Sequence, residues 1–373
     1  MRQLPGVAWV VGNSHKPQIP ELIEALSPQQ KFSFSSGLLP LSAITPASIP
    51  ASHDTAQVLI GDIFEQKTLL TTPVFGGEGN HTRPTLKIQD GCNSRCSFCV
   101  IPFVRGRSRS LPPDEVIREL RRLNQAGYHE IVLSGINLGT YGRDLSPRVE
   151  FEDLLRRILE ETSVERLRVS SIEPMDVTRD LVELFASTEL IAQHFHMPLQ
   201  SGSDRILAAM HRWYRAEHYA RRVELIRERL PHAAIGADVI AGFPGETEAD
   251  HAATMAFIEA LPFTYLHVFS YSKRPATKAA SLRNQVPRAI TKRRARELRA
   301  LSERKAAAFR QSQIGRELRV LTLRASTDPV GGRTPAISSN YRRLLVKGLF
   351  PCNHWLNVTA NASEETHLLA EVS

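Results

Sequence analysis

The segment QDGCNSRCSFC, residues 89–99, places three cysteines in the pattern Cys-x3-Cys-x2-Cys. It follows directly after the first predicted strand, residues 86–89, so the cysteines are expected on a loop at the end of that strand. Three thiolates on one tight loop can hold three irons of a [4Fe–4S] cluster and leave the fourth iron open. A closed structural zinc site is the alternative, and it would need Cys352 or a histidine such as His81 as fourth ligand.

Further along the chain, strand patterns alternate with amphipathic helices. Val116, Ile117, Leu120 and Leu123 show the helical spacing of apolar residues. Because several strands end in polar or glycine-containing turns, we expect an α/β fold with a partial (β/α)6 barrel whose site lies at the carboxyl ends of the strands. The predicted strands lie near 86–89, 130–134, 166–171, 194–199, 234–241 and 265–270.

The outer parts of the chain have different patterns. A strand at Val7–Val11 and a helix at Pro20–Leu26 are typical of the closing unit of an α/β domain, and a segment rich in Ser, Pro, Thr and Ala follows. The C-terminal residues alternate apolar and polar, which predicts a small antiparallel β-barrel. We therefore predict an N-terminal remnant, a linker, a barrel domain ending in a basic helix at about 290–312, and a terminal β-barrel, at residues 1–27, 28–83, 84–313 and 314–373.

Composition limits the possible classes of protein. The 373 residues are 42% hydrophobic and include four cysteines, which excludes wholesale disorder, collagen and coiled coil and does not fit a disulfide framework. The longest uncharged apolar run near the start, Val7–Val11, is too short for a signal sequence or a membrane span. We therefore expect a cytoplasmic protein without a membrane partner.

The net charge of +8 comes from 47 Lys and Arg against 39 Asp and Glu. Residues 288–319 contain eleven basic residues and three Glu, 11 − 3 = +8, so this segment accounts for the whole excess. It is either a solvated helix face or a surface that contacts phosphates. As RNA contacts we select three arginines after the cysteine loop, which we expect to face one way from an extended segment, and three in the basic helix: Arg105, Arg107, Arg109, Arg293, Arg294 and Arg296. Tyr341 and Trp355 of the terminal barrel could stack bases or fill its core.

Polar residues at the predicted strand ends are candidates for cofactor binding. Ser134 and Gly135 suit a close approach of backbone to a ligand, or a plain turn. Glu173 could bond a ribose or an amino group, or pair with Arg168. An amide and a carboxylate follow on the next strands, and either could instead be structural: Gln200 and Asp238.

The cysteine loop resembles that of the radical S-adenosylmethionine (radical-SAM) superfamily, including an aromatic residue, Phe98, before the last cysteine. The resemblance implies that Cys92, Cys96 and Cys99 bind a [4Fe–4S] cluster and act in catalysis. It implies that S-adenosylmethionine (SAM) chelates the open iron and is cleaved to a 5′-deoxyadenosyl radical. The turn at Gly242 resembles the one that lines the adenine in this superfamily.

Longer segments resemble the methylthiotransferase family within that superfamily, and most closely its tRNA threonylcarbamoyladenosine branch. They include QDGCNSRCSFCVIPFVRGRSRSLP (89–112), HMPLQSGSDRIL (196–207) and GADVIAGFPGETEAD (236–250), and the terminal barrel resembles a TRAM RNA-binding domain. The resemblance implies an enzyme that adds a methylthio group to carbon 2 of the modified adenosine beside the anticodon. Its implied partners are tRNA and an electron donor such as flavodoxin or ferredoxin, and we expect a monomer.

One feature of the family pattern is missing. Family members hold a second, auxiliary cluster through three further cysteines, which here would lie upstream of Met1. We therefore expect one cluster in this chain and the second only in a longer form. The alternatives are an RNA-binding protein with this fold that cannot insert sulfur, or a sister activity on isopentenyladenosine or on a ribosomal-protein aspartate.

Overall fold

The computed structural model of the chain describes residues 7, 9–25, 56–66, 69, 82–324 and 330–373. Its strands are β1 Trp9–Val11, β2 Gln57–Leu59, β3 Thr85–Lys87, β4 Gln89–Asp90, β5 Arg109–Ser110, β6 Glu130–Ser134, β7 Arg166–Val169, β8 His194–His196, β9 Ala234–Ala241, β10 Tyr265–Ser270, β11 Glu317–Thr322, β12 Arg333–Ser338, β13 Arg343–Lys347, β14 Trp355–Ser363 and β15 Leu368–Val372. Its α-helices are α1 Ile19–Ala25, α2 Ile101–Arg105, α3 Pro113–Gln125, α4 Phe151–Glu161, α5 Arg179–Ala186, α6 Asp204–Ala209, α7 Ala216–Arg229, α8 Glu248–Ala260, α9 Lys278–Ser281 and α10 Arg288–Gln311.

Six parallel strands form the centre of the protein. β3, β6 and β7 make one three-stranded sheet, and β8, β9 and β10 make another. The bridges Leu167–Ile191 and Ser171–His196 connect the two sheets, so the strands follow one another in chain order. The six predicted strands and the mixed α/β class are confirmed, whereas closure into a (β/α)6 barrel stays a prediction.

Helices cover one face of these sheets. Val116, Ile117, Leu120 and Leu123 of α3 are all buried, as their spacing predicts. α3 begins with a proline and two acidic residues in its first turn, both of which favour a helix N-terminus. Each large apolar side chain that is fully buried contributes about 1.5–3 kcal/mol, so this packing fixes the strand ends that carry the site. None of the helices in the described ranges is long and apolar enough to span a bilayer.

The C-terminal strands close into a barrel in the order β11-β12-β13-β15-β14, with a separate apolar core. The predicted antiparallel character holds for all pairs except β13 with β15, which run parallel. The terminal barrel contacts the central sheet at β7, whose Arg168 donates to the main-chain oxygens of Ser338 and Ser339. That this barrel is a TRAM-like domain, and where the domain boundaries lie, stay predictions.

Part of the predicted linker, 28–83, is ordered secondary structure. β2 pairs in parallel with β1, and a 3-10 helix, Ile63–Glu65, follows it. The weak apolar pattern of 58–63 gave little sign of this, because a three-residue strand has too few residues for a period. The Asn13 side chain donates to the main-chain oxygen of Val104 at 2.7 Å and links this unit to the barrel region. Residues 1–6, 8, 26–55, 67–68 and 70–81 of the predicted remnant and linker lie outside the described residues.

Candidate active site

The three clustered cysteines lie on the loop between β4 and α2 and line one cavity of about 630 Å³. Each sulfur accepts one hydrogen bond from an N–H group, with a nitrogen–sulfur distance of 3.3–3.4 Å. The donors to Cys92, Cys96 and Cys99 are, in that order, Ser94 N, Arg212 Nη1 and Ile101 N. Thiolates are good acceptors of such bonds, so the loop is arranged for sulfur in its anionic, metal-binding form.

Two residues between the cysteines clamp the loop to its surroundings. Ser97 is buried; its N–H donates to the oxygen of Met210 and its hydroxyl donates to the oxygen of Ala209. Phe98 packs against the apolar cluster that contains Phe243 and Met210. The predicted aromatic residue therefore supports the loop from behind.

Gln89 organises the base of the site, and the sequence did not single it out. Its side chain is fully buried: Oε1 accepts from the N–H groups of Ile136 and Asn137, and Nε2 donates to Gly91 O and Ser108 Oγ, all at 2.8–2.9 Å. It thereby ties the cysteine loop to the turn after β6. The position of this glutamine, at the end of a predicted strand and directly before the cysteine motif, was the available signal.

This packing also explains Gly135. A Cβ atom there would lie 2.7 Å from Leu138 Cδ2 and 3.0 Å from the Gln89 side chain. The glycine is required by the protein's own side chains. The close approach that the sequence predicted is therefore an approach to Gln89.

Glu173 pairs with Arg212, and the predicted partner, Arg168, is wrong. The Arg212 guanidinium contacts both the Glu173 carboxylate and Cys96 Sγ. Burial raises the pKa of Glu173, and the charge of Arg212 opposes that shift. Arg168 is instead held by Glu130 on the neighbouring strand at 2.8 Å. A cation and a carboxylate thus stand beside the cysteine loop.

The donor set fits an iron–sulfur cluster better than the zinc site that the sequence left open. Cys352 is exposed on the terminal barrel, where it contacts Thr82 Oγ1 at 3.3 Å, and it does not line the cavity of the loop cysteines. His81 lies outside the described residues. Burial raises the pKa of the Cys96 and Cys99 thiols, and a bound metal supplies the positive charge that stabilises their thiolates.

The other predicted cofactor residues lie along β6, β8 and β9. Ser134 ends β6, and its main-chain oxygen accepts from Ile88 N. Gln200 is buried, with a left-handed φ of 63°, and its N–H donates to the main-chain oxygen of Asp238 at 2.7 Å. The Asp238 side chain accepts from His196 and His267, and these bonds lower its pKa against the opposing effect of burial.

Gly242 lies in the turn after β9, at a φ of 77° that favours glycine. Its N–H donates to the Glu246 carboxylate, and a Cβ would lie 2.2 Å from Thr291 Oγ1. Arg294 holds the same carboxylate at 2.7 Å. Arg294 is therefore buried inside the protein and shapes this turn, and its prediction as an RNA contact is wrong.

The arginines after the cysteine loop do not face one way. Arg107 is exposed and lines the cysteine cavity. Arg105 ends α2 and pairs with Asp90 at 3.4 Å. Arg109 is buried and donates to the main-chain oxygens of Gln66 and Arg105, so it cannot contact RNA. The predicted extended segment is wrong at its start, because Arg105 ends α2 and Gly106 follows at a left-handed φ of 76° before the chain extends into β5.

On α10, the exposed residues remain candidates for RNA binding. Arg293 is exposed but engaged by Glu248 and Glu297. Arg296 is exposed. The phosphate-contacting surface therefore stays a prediction for Arg296, and Arg293 takes part in ion pairs on the exposed face of the helix.

The two aromatic residues of the terminal barrel contact protein groups. The guanidinium carbons of Arg166 and Arg319 lie 4.3 and 4.2 Å from the Trp355 ring centroid. Tyr341 stacks on His194 with ring centroids 4.6 Å apart. Both rings support the junction between the barrel and the central sheet.

Comparison with known proteins gives the class and then the family. The model of the radical SAM superfamily matches residues 86–258. Threonylcarbamoyladenosine tRNA methylthiotransferase MtaB of Aquifex aeolicus (strain VF5) is 36% identical over 87% of this chain and 72% of its own length. The chain belongs to the radical-SAM methylthiotransferase family. The cofactors of this family are a [4Fe–4S] cluster and SAM.

The match with other relatives covers a smaller share of the relative's length. The MtaB protein of Bacillus subtilis (strain 168) is 37% identical over 79% of this chain and 64% of its own length. The tRNA-2-methylthio-N(6)-dimethylallyladenosine synthase of Thermobifida fusca (strain YX) is 45% identical over 63% of this chain and 47% of its own length. Among solved structures, coproporphyrinogen III oxidase (HemN) from Escherichia coli aligns with a TM-score of 0.45 and 12% identity over 77% of this chain and 70% of that one.

Proposed function

We propose that this chain carries the radical-SAM part of a tRNA methylthiotransferase that acts on N6-threonylcarbamoyladenosine beside the anticodon. The observation that supports it most is the cysteine loop, whose three sulfurs line one cavity with Arg212 and Glu173 beside them. The relatives named for this substrate match over 72% and 64% of their lengths. The dimethylallyladenosine synthase is the second candidate, because its identity is higher over a shorter span.

Cys92, Cys96 and Cys99 would hold the cluster. With SAM bound and one electron from a reductant, the cluster would supply a carbon radical able to take a hydrogen atom from the substrate. Arg212 would contact the SAM carboxylate and Glu173 its amino group, a proposal supported by the contacts of Arg212 with Cys96 Sγ and with the Glu173 carboxylate. Phe98 and Gln89 keep the loop in position.

The remaining assignments follow the strand ends. Ser134 and Gly135 on one side, and Gln200 and Gly242 on the other, would border the adenosyl part of SAM. Asp238 is bonded to two histidines. Arg107 and Arg296 are exposed and would meet tRNA phosphates, whereas Arg293, also exposed, is engaged by Glu248 and Glu297. An electron donor is required for each turnover.

The metal assignment is tested by iron and sulfide analysis after anaerobic reconstitution. About four irons per chain are expected. The triple Cys92→Ala, Cys96→Ala, Cys99→Ala variant should lose them, and Cys352→Ala is the matched control that should keep them. One zinc and no iron in the wild type would overturn the assignment.

The reaction is tested with an anticodon stem-loop that carries deuterium on carbon 2 of the threonylcarbamoyladenosine. The reduced enzyme should release 5′-deoxyadenosine that contains deuterium, because hydrogen abstraction at that carbon does not depend on the source of sulfur. Cys96→Ala should release none. Unlabelled 5′-deoxyadenosine from a wild type that binds the RNA would contradict the proposed position of attack.

A further inference from the structure

One face of the second sheet carries polar side chains where the other face is apolar. Phe195 contacts Phe185 of α5, with ring centroids 4.6 Å apart, and therefore faces the helices. Successive side chains of a strand point to opposite faces of the sheet, so the neighbours of Phe195 point to the face away from the helices, which we call the interior face. We call these interior side chains the interior polar row: His194 and His196 on β8, Asp238 on β9, and Tyr265 and His267 on β10.

A chain of hydrogen bonds joins the row. The Tyr265 hydroxyl lies 2.7 Å from His194 Nε2 and 3.0 Å from His196 Nδ1. Asp238 Oδ1 lies 3.0 Å from His196 Nε2 and 3.2 Å from His267 Nδ1. The chain fixes the orientation of every ring in the row, so the row is organised before any ligand binds.

The upper end of the row is open. The His267 side chain is 55% exposed and that of Asp238 is 24% exposed. Asp238 Oδ2 and His267 Nε2 make no hydrogen bond to other residues in the described ranges. His196, whose ring bonds Asp238, accepts from Ile172 N at 3.0 Å through its main-chain oxygen, and Ile172 directly precedes Glu173, so this end of the row lies at the same edge of the sheet as Glu173.

The two open atoms define the chemistry of a ligand. Asp238 Oδ2 accepts hydrogen bonds. His267 Nε2 accepts while the ring is neutral and donates when it is protonated. A ligand with N–H and O–H donors and a carboxylate can satisfy both, whereas an apolar ligand would remove water from both without replacement, which is unfavourable.

We propose that the open end of the interior polar row binds the N6 substituent of the target adenosine and selects the threonylcarbamoyl group, with His267 as a specificity-determining residue. The inference rests on the proposed function. The threonylcarbamoyl group carries N–H, hydroxyl and carboxylate groups, and a dimethylallyl group carries none. Sites built to hydrogen-bond a ligand reject analogues that lack the polar groups.

The test compares three anticodon stem-loops that differ only at this adenosine: threonylcarbamoyl, dimethylallyl and unmodified. Fluorescence anisotropy gives the dissociation constant of each with the whole chain at one salt concentration. The wild type should bind the threonylcarbamoyl RNA about tenfold more tightly than the dimethylallyl RNA, as expected for one or two additional hydrogen bonds.

His267→Leu should reduce this preference about three- to tenfold, the value of one hydrogen bond. His267→Asn, which keeps a polar side chain, should retain part of it. His232→Leu is the matched control, because His232 is exposed at the junction with the terminal barrel and lies outside the row.

Each outcome decides between the two proposals. A wild type that binds all three RNAs equally, or an equal loss in His267→Leu and His232→Leu, overturns the inference and leaves tRNA binding intact. A preference for the dimethylallyl RNA overturns the inference and favours the second candidate function. A wild type that binds none of the RNAs overturns the proposed function itself.

Discussion

Substitution of Glu130 is a quantitative test of the ion pairs at the junction between the central sheet and the terminal barrel. Its carboxylate is fully buried, with Oε1 3.0 Å from Arg83 Nη1 and 2.8 Å from Arg168 Nε, and Oε2 2.8 Å from Arg166 Nε. Burial would raise the pKa of Glu130, but the arginines, Arg168 foremost, lower it from 4.5 to about 2. Removal of this charge should leave buried arginines without their partner.

The size of the effect follows from the pKa. A fall from 4.5 to about 2 corresponds to about 3 kcal/mol at 1.36 kcal/mol per pH unit, in line with the 3–5 kcal/mol typical of a broken buried pair. Glu130→Gln should therefore lower the free energy of unfolding by about 3 kcal/mol at neutral pH. Because the folded state has the lower pKa, this stabilisation is complete above about pH 4.5 and is lost as the pH falls towards 2.

The assay is urea denaturation followed by far-UV circular dichroism and by tryptophan fluorescence, to which Trp355, against Arg166, contributes together with Trp9 and Trp213. Glu371→Gln removes an exposed carboxylate paired with Lys347 and is the matched control, expected to cost less than about 1 kcal/mol. Equal losses in the two variants, or an acid profile that Glu130→Gln leaves unchanged, would refute the reasoning.

Three further results are expected. Trp213 is 84% exposed beside the cysteine loop, and Trp213→Ala should weaken stem-loop binding by about 1–3 kcal/mol if a base stacks on it, as measured by anisotropy. Arg296→Glu should lower the salt dependence of RNA affinity by about one in log–log slope, whereas Arg294→Ala should lower the melting temperature because Arg294 is buried. Gly135→Ala should displace Gln89 and cost about 1–3 kcal/mol of stability, with slower SAM cleavage; an unchanged melting temperature would contradict the close packing.

Local sequence patterns predicted the parts of the structure that local sequence controls. The cysteine spacing and the apolar periods of the helices and strands need only neighbouring residues, and the structure has the six central strands and the terminal barrel where those patterns lie. Phe98 was selected by its position in the motif and packs beside the loop. The short strand β2 was not predicted, because its pairing with β1 depends on residues far apart in the chain.

The errors concern charged residues whose partners are distant in sequence. Arg294 is buried because it meets Glu246, 48 residues away. Arg168 was one possible partner for Glu173, but the register of β6 and β7 places Arg166 opposite Glu130, and Arg168, two residues further along, also reaches the Glu130 carboxylate. A charge pattern along the chain gives no register between strands. It therefore cannot separate a surface arginine from one that closes an interior ion pair.

The polar groups on the interior face of the central sheet differ between its two ends. We call the end that contacts the terminal barrel the bottom and the opposite end the top, and only the top favours ligand binding. At the bottom, Glu130 is balanced by arginines, and complete burial with the nearby charge of Arg168 holds the pKa of His194 well below its usual value, so that ring is neutral. Tyr341 of the terminal barrel covers it. At the top, Asp238 Oδ2 and His267 Nε2 are open, and His196 of the same row is bonded through its main-chain oxygen to Ile172 N, next to Glu173. Water or a ligand must satisfy these atoms, so a substituent with its own hydrogen-bonding groups is favoured at this end, whereas the closed end already has its partners within the protein.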